Sequence, residues 1–410
     1  MVDDAASQLA INGGPPVRTQ PPPRRILFGE AELEAVKRVF EHAWESGRDF
    51  GYQGRFEDEF TRAFCEFQGG GFADAVSSGT AAVFVALQAL DLPKGSDVVV
   101  SPITNPGSVC PAVLLGHRLV VADAAPGLPV TGPEEFERAL TAETAAAVIT
   151  HAGGFPCDMP GIMDIAKTHG LEVVEDCSQA HGALCGEIKV GRFGSIAAYS
   201  TMFSKTLSTG GCGGLVYTLD EDLYWRARSC ADRGKPFDDP EFDFRNVPAY
   251  RFPALNFNLD EMSCAIGRSV LSRLPGILAG RRDIAARIDT RLGNETRVVK
   301  PVPAREGFVS SVFYHPVAVD TSRLNVSKRE FAEAVAAEGI WINPHYREIV
   351  AEWPWLREHC ACPPETPNAV AFRDGSFNLL LHERFSSSDI DDILAAIKKV
   401  EAAFVADGGD

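Results

Sequence analysis

The sequence predicts an α/β protein with a mainly parallel central sheet and a smaller α+β domain at its C-terminal end. Short β-branched runs alternate with amphipathic helices over the first half of the chain, which is typical of βαβ units. This alternation weakens after residue 218, and the length of 410 residues exceeds that of a typical single domain. We therefore expect an N-terminal arm at 1–25, a large domain at 26–270 and a small domain at 271–410.

The arm is predicted from composition. Glycine and proline cluster at 13–16 and 21–23, and because both residues interrupt helices and strands, we expect an extended segment rather than a packed element. Two helices are predicted after it. One begins at Gly29-Glu30 with apolar residues at helical spacing, and the next carries a phenylalanine every three or four residues, at 56, 60, 64 and 67.

The large domain is predicted from its alternating elements. A helix begins at Thr80 after a Ser-Ser-Gly turn, and Pro160 begins another that continues through 162–169 and ends at Gly170. Further helices are expected at 134–140 and 223–231. Short apolar runs predict strands at 98–100, 119–121, 146–149, 172–175 and 196–199.

The small domain is predicted from a long helix and the elements after it. Residues 232–253 are rich in charge, proline and aromatic side chains, which indicates a loop. Asp260 can cap a helix that continues to about residue 290. A strand at 313–317 and helices at 328–338 and 389–404 follow.

The charge balance excludes one class of partner. The chain has 39 Lys and Arg against 56 Asp and Glu, a net charge of −17, and it has no basic stripe that could neutralise nucleic-acid phosphates. No apolar run reaches 18 residues, so no membrane-spanning helix is expected. The acidic start MVDD has no apolar segment after it, so we do not expect a secretory signal.

The ten cysteines are scattered and several lie within apolar patterns. We interpret them as reduced, buried thiols of a cytoplasmic protein. Cys360 and Cys362 form a close pair, but no second pair lies near them in the sequence, so we expect no metal site.

Lys205 carries the first sign of chemistry. It lies between the strand predicted at 196–199 and a glycine cluster at 210–214, where the backbone can approach a ligand closely. A lysine amine can form a Schiff base with an aldehyde. The alternative is an ordinary surface lysine.

Asp176 supplies the second sign. It follows the strand predicted at 172–175, and open α/β sheets bind ligands at the carboxyl ends of their strands. A carboxylate there can hold a cationic ring nitrogen, so Lys205 and Asp176 together predict a pyridoxal phosphate (PLP) enzyme. A helix cap or a turn at the end of the strand is the alternative for Asp176 alone.

Other residues complete such a site. Gly79 and Thr80 open a helix, whose free N–H groups and dipole favour a phosphate, and Ser200 could add a hydroxyl. Gln179 could bind the phenolic oxygen of PLP. His181 could lie near the substrate, although a lone histidine is more often structural.

These segments, in this order, resemble the DegT/DnrJ/EryC1/StrS family of sugar aminotransferases, which are fold-type-I PLP-dependent transferases. The likeness covers most of the chain. It includes NGGP at 12–15, FE at 56–57, SSGTAA at 77–82, EDCSQAHG at 175–182, KT at 205–206 and NFNL at 256–259.

The resemblance implies amino transfer from glutamate or glutamine to a keto sugar, free or nucleotide-linked, a keto-octulosonate or a cyclitol ketone. It makes Lys205 the Schiff-base residue and proton carrier, and Asp176 the partner of the pyridine nitrogen. Asn258 matches an asparagine that reaches the phosphate in the neighbouring subunit, which implies a homodimer with shared active sites. Some relatives are dehydratases with histidine in place of this lysine, so Lys205 favours transamination.

Two departures from the family pattern bear on the cofactor and the substrate. Asn105 stands where an aromatic residue often covers the cofactor ring, so we expect it to bind the cofactor through a polar contact in place of stacking. The segment at 381–385 differs from the commoner proline-containing form. Besides His181, the candidate substrate contacts are Arg233, His345, Tyr346, Glu383 and Arg384, and surface charge is the alternative for each of these five. A PLP-dependent elimination or desulfuration enzyme and a non-catalytic PLP-binding regulator remain the alternative functions.

Overall fold

The computed structural model describes residues 2–405, with side chains from residue 5 onward. Its α-helices are α1 (Val2–Ser7), α2 (Glu30–Ser46), α3 (Arg55–Gln68), α4 (Gly79–Ala89), α5 (Pro106–Leu114), α6 (Pro133–Ala139), α7 (Met159–His169), α8 (Glu221–Ala231), α9 (Glu261–Glu295), α10 (Lys328–Ala337), α11 (Pro367–Asp374) and α12 (Ser387–Phe404). Its strands are β1 (Phe72–Val76), β2 (Asp97–Val100), β3 (Arg118–Val121), β4 (Thr144–Thr150), β5 (Glu172–Asp176), β6 (Leu184–Cys185), β7 (Ile188–Lys189), β8 (Ile196–Ser200), β9 (Gly214–Thr218), β10 (Val299–Pro301), β11 (Phe308–Val309), β12 (His315–Val319), β13 (Ile342–Asn343) and β14 (Ser376–Leu379).

The central sheet has the strand order β1-β9-β8-β5-β4-β2-β3. The strand β9 is antiparallel to both neighbours, and all the other strands run in one direction. The mainly parallel sheet predicted from the sequence is therefore confirmed. Because β1, β2, β4, β5 and β8 point the same way, the loops that follow them meet at one edge of the sheet.

The β-branched runs form strands because both faces of this sheet are covered. Val98 and Val100 pack into the apolar core on one face, and Val99 packs into the core on the other. A strand buried on both faces reads as a continuous apolar run rather than an alternating one. For this reason the apolar run at 98–100 predicted the strand β2.

A second sheet lies in the C-terminal part of the chain. Its strand order is β10-β12-β14-β13, with antiparallel neighbours throughout. The helix α9 connects the two parts: Val270 and Leu274 pack against the large core, while Ile284 and Ile288 pack against the small one. The proposed boundary at 270/271 thus lies within one continuous helix, capped as predicted by Asp260, which accepts a hydrogen bond from the N–H of Ser263.

The prediction of an extended, unpacked arm at 1–25 is wrong for its first half. Residues 2–7 are helical, and residues 10–12 form a 3₁₀ turn. The helix α1 packs on α12, and Leu9 is fully buried in the core of the small domain. The apolar residues of this segment therefore dock it on the small domain. The proline-rich residues 13–29, here called the strap, contain no helix or strand.

No helix within residues 2–405 is both long and apolar enough to cross a membrane.

Candidate active site

A cavity of about 390 Å³ opens at the carboxyl edge of the central sheet. The loops after β1, β5 and β8 form one wall, and residues of the small domain form the opposite wall. Eight of the residues predicted from the sequence line it: Gly79, Thr80, Asn105, Asp176, Gln179, Ser200, Lys205 and Tyr346.

The first turn of α4 offers an anion site. Ser78 caps the helix by accepting a hydrogen bond from the N–H of Ala81 at 3.0 Å. The N–H groups of Gly79 and Thr80 have no partner among the described residues, and they point with the helix dipole toward the N-terminal end. A Cβ on Gly79 would lie 2.5 Å from the Cβ of Ser200, so only glycine lets the helix end approach β8 this closely.

Asp176 is held as an oriented carboxylate. It is 2% exposed, and its Oδ1 accepts a hydrogen bond from the N–H of Ser178 at 3.0 Å. Its Oδ2 receives the hydroxyl of Ser108 and, at 3.5 Å, the hydroxyl of Thr150. These three donors fix the position and the plane of the carboxyl group.

Lys205 is half-buried, with its Nζ 4.4 Å from the centre of the Phe313 ring. Burial lowers the pKa of the amine below its usual value, and the charges of Asp176 and Glu348 oppose this shift. A lysine with a lowered pKa has more of the neutral amine at neutral pH, and the neutral amine is the form that acts as nucleophile and base.

Gln179 and Asn105 are both partly committed to the protein. The Oε1 of Gln179 accepts the N–H of Gly153 at 2.7 Å, which leaves its amide nitrogen for a ligand. The Oδ1 of Asn105 caps α5 by accepting the N–H of Gly107 at 3.2 Å. Asn105 therefore caps α5 and also lines the cavity.

His181 lies behind the cavity and not on its wall. It is buried, and its Nδ1 lies 3.1 Å from the hydroxyl of Thr206, the residue after Lys205. Burial, then the charges of Lys205 and Arg25, lower the pKa of His181 to about 3. The imidazole is therefore neutral over the physiological pH range, and its contact is with the lysine-bearing segment.

Three further candidates also lie away from the cavity wall. Arg233 binds Asp232 at 2.6 Å and the hydroxyl of Tyr52 at 2.8 Å. Asn258 accepts a hydrogen bond from Gln53 of its own chain at 2.9 Å. Glu383 is paired with two arginines, described below. His345 and Arg384 are likewise absent from the residues that line the cavity.

Of the cavity wall that the small domain provides, the sequence predicted only Tyr346. The hydroxyl of Tyr346 donates to Glu348 at 2.6 Å, and the Tyr346 ring lies 5.4 Å from that of Tyr314. Asn343 and Asn378 are paired across β13 and β14 and both face the cavity. The sequence indicated this wall only weakly, through Asn378 beside apolar residues in β14.

A buried cluster behind the site has the composition of a metal centre. One ligand atom each of His151, Glu175 and Cys177 lie within 4.8 Å of one another. The oxygens of Glu175, however, accept three backbone N–H groups of the loop at 191–194, and Nδ1 of His151 accepts the N–H of Cys157. Burial raises the pKa of Cys177 to about 12, so these groups form a hydrogen-bonded support for β5.

Comparison with known proteins agrees with this geometry. The sequence profile of the DegT/DnrJ/EryC1/StrS aminotransferase family matches residues 28–398. The L-glutamine:2-deoxy-scyllo-inosose aminotransferase of Micromonospora echinospora is 31% identical, over 80% of this chain and 79% of the relative. The spore coat polysaccharide biosynthesis protein SpsC of Bacillus subtilis is 28% identical, over 91% and 95%. The X-ray structure of the aminotransferase from Psychrobacter cryohalolentis superposes with a TM-score of 0.81 at 29% identity, over 92% and 97%.

Proposed function

Because this chain belongs to the DegT/DnrJ/EryC1/StrS aminotransferase family, we propose that it uses PLP to move an amino group from glutamate or glutamine to the ketone of a sugar or cyclitol. The observation that carries the proposal is the meeting of Lys205, Asp176 and the first turn of α4 in one cavity. Each supplies a different group that such a cofactor needs.

The residues present fit PLP. The N–H groups of Gly79 and Thr80, with the Ser200 hydroxyl, would hold its phosphate. Asp176 would pair with the ring nitrogen, and the amide nitrogen of Gln179 would donate to the phenolic oxygen. When bound, PLP supplies an aldehyde whose carbon takes up the amino group, and a ring that withdraws electrons from the reacting carbon.

Lys205 then has two tasks. It holds the cofactor when no substrate is bound, and its neutral amine moves a proton at the substrate carbon that loses or gains nitrogen. Asp176 would hold its carboxyl group against the ring nitrogen. The reaction balances without a redox partner, since an amino acid and a ketone become a 2-oxo acid and an amine.

The wall formed by the small domain supports a polyhydroxyl acceptor. Glu348, Tyr346, Asn343 and Asn378 offer carboxylate, phenol and amide groups that can bind several hydroxyls at once. The names of two relatives point the same way: one acts on an inosose, and the other serves in polysaccharide biosynthesis.

We also propose that the enzyme is a homodimer with shared active sites. Asn258 is not among the described residues that line the cavity of its own chain, which is consistent with a contact to the other subunit. Phe203, two residues before Lys205, is 63% exposed, and an aromatic ring so exposed beside an active site is typical of a subunit interface.

The test is a panel of ketoses and cyclitol ketones offered with glutamine or glutamate, with the aminated product and the 2-oxo acid measured by mass spectrometry. The wild-type protein should bind PLP with visible absorbance near 420 nm and aminate at least one acceptor. Lys205→Ala should lose both the visible absorbance and turnover. Full turnover by that variant would contradict the assignment.

The position of Cys212 is the reason to test for a second reaction, the desulfuration of cysteine. Cys212 is exposed and lines the cavity, as a cysteine in a PLP-dependent desulfuration would. Release of sulfide from free cysteine, without amination of any acceptor, would favour that reaction. Bound PLP with neither reaction would favour a non-catalytic regulator.

A further inference from the structure

Glu383 joins two arginines from distant parts of the chain. Its Oε1 lies 3.1 Å from Nε of Arg25 in the strap, and its Oε2 lies 3.0 Å from Nε of Arg281 in α9. The Glu383 side chain is 14% exposed and that of Arg281 is 3% exposed. Burial opposes ionisation, but the charges of Arg281 and Arg25 hold the pKa of Glu383 below its usual value. The bridge is therefore ionic at neutral pH.

Arg25 binds the main chain that carries the amine. Its Nη1 donates to the carbonyl oxygen of Lys205 at 2.7 Å and to that of Ser204 at 3.3 Å, while Nη2 donates to that of Thr206 at 3.2 Å. Three successive carbonyl groups are thus held by one planar guanidinium group, which fixes both the position and the direction of the turn.

Arg281 binds the segment that faces the same amine. Its Nη1 donates to the carbonyl oxygen of Val312 at 2.9 Å and to that of Phe313 at 3.4 Å. The φ of Val312 is +53°, which is unfavourable for a β-branched residue, so surrounding contacts must hold this conformation. The Phe313 ring is the surface on which the Lys205 amine rests.

We propose that Glu383 is a positioning residue for Lys205, because its bridge between Arg25 and Arg281 sets the turn at 204–206 against Phe313. The inference rests on the proposed role of Lys205 in amino transfer. Glu383 was predicted from the sequence as a substrate contact, but it binds the two arginines and is not among the residues that line the cavity.

The test compares two glutamates of the C-terminal part of the chain, each of which holds other segments through hydrogen bonds. Glu383→Gln keeps the shape but removes the charge that pairs the arginines. Glu401→Gln is the matched control, because Glu401 is 2% exposed and also holds another segment, by accepting N–H groups of residues 297–299. For each holoenzyme we would measure kcat, KM, the thermal midpoint, hydrogen exchange at 203–207 and the pH midpoint of the cofactor's visible absorbance.

Glu383→Gln should lower kcat at least about 10-fold while KM changes by less than about 3-fold, since the lysine and not the substrate is displaced. Exchange at 203–207 should become faster. The pH midpoint should fall, because the uncompensated arginines disfavour a proton on the lysine nitrogen. Glu401→Gln should lower the thermal midpoint and leave kcat, the exchange at 203–207 and the pH midpoint at wild-type values.

The proposal is overturned if Glu383→Gln changes only the thermal midpoint, as the control does. Should that variant fail to fold, Arg25→Lys provides the same test, because lysine keeps the charge but lacks the planar guanidinium group that binds Glu383 and three carbonyl groups at once. Unchanged exchange at 203–207 in Arg25→Lys would equally overturn it. If the wild-type protein transfers no amine, the proposed function fails, but exchange and the pH midpoint still decide the role of Glu383.

Discussion

At the scale of single residues, Gly79 determines how closely a ligand can approach the first turn of α4. The close approach of this turn to Ser200 leaves no room for a Cβ. Gly276 provides the contrast, because it is an exposed glycine in the middle of α9 and a Cβ there would meet nothing within 4 Å.

We therefore expect Gly79→Ala to weaken PLP binding at least about 10-fold, because the helix end must move away from β8 and its N–H groups with it. Gly276→Ala should bind PLP normally and be more stable by about 0.5–1 kcal/mol, the usual gain from replacing a helical glycine. Titration of each protein with PLP, followed by visible absorbance, measures the first effect, and denaturant unfolding measures the second. Equal PLP affinity in the two variants would contradict this account of Gly79.

The same scale shows what the sequence could reveal. Lys205 and Asp176 were predictable because each is marked locally, by a glycine cluster or by the end of a strand. Ser108, which binds Asp176, lies in the first turn of α5, and Glu348, whose charge acts on Lys205, lies in a loop of the small domain, so both are far from their partners in sequence. Nothing within a few residues of either indicates that partnership, because it arises only when the sheet aligns its loops.

At the scale of elements, α3 and β1 meet through two buried carboxyl groups. Glu57 and Asp74 are 3% and 2% exposed, and the side chain of Arg228 lies 4.0 Å from Asp74. Burial, then the charge of Asp74, raises the pKa of Glu57 to about 8, and burial also raises the pKa of Asp74. At neutral pH the folded pair holds a proton that the unfolded chain releases.

Both pKa values are raised by folding, so the folded state binds more protons and stability must fall as the pH rises. We expect the free energy of unfolding to fall by at least about 1 kcal/mol between pH 5 and pH 8 through this pair. Glu57→Gln should remove most of that slope. Urea unfolding at several pH values tests it, with Glu66→Gln, an exposed site on the same helix, as the control that keeps the wild-type slope.

The predictability of the elements followed the same physical rule. Strands buried on both faces, such as β2 and β4, were identified from their apolar runs. In contrast, β1 was not predicted because Asp74 interrupts its apolar pattern. The helix α1 was not predicted because the proline and glycine residues further along the arm indicated an extended segment. In both cases a long-range contact, with Arg228 or with α12, stabilises what the local sequence does not specify.

At the scale of the whole molecule, the proposed dimer assigns Lys205 and Asn258 of one active site to different subunits. Lys205→Ala and Asn258→Ala should each be inactive or nearly so as pure proteins. Mixed dimers formed by unfolding and refolding the two variants together contain one site with both residues intact. Since half of the dimers are mixed and one of two sites is intact in each, activity should return to about a quarter of the wild-type value. If Asn258 served its own chain, every site in the mixture would carry one of the two substitutions. No activity would then return, although light scattering would still report a dimer.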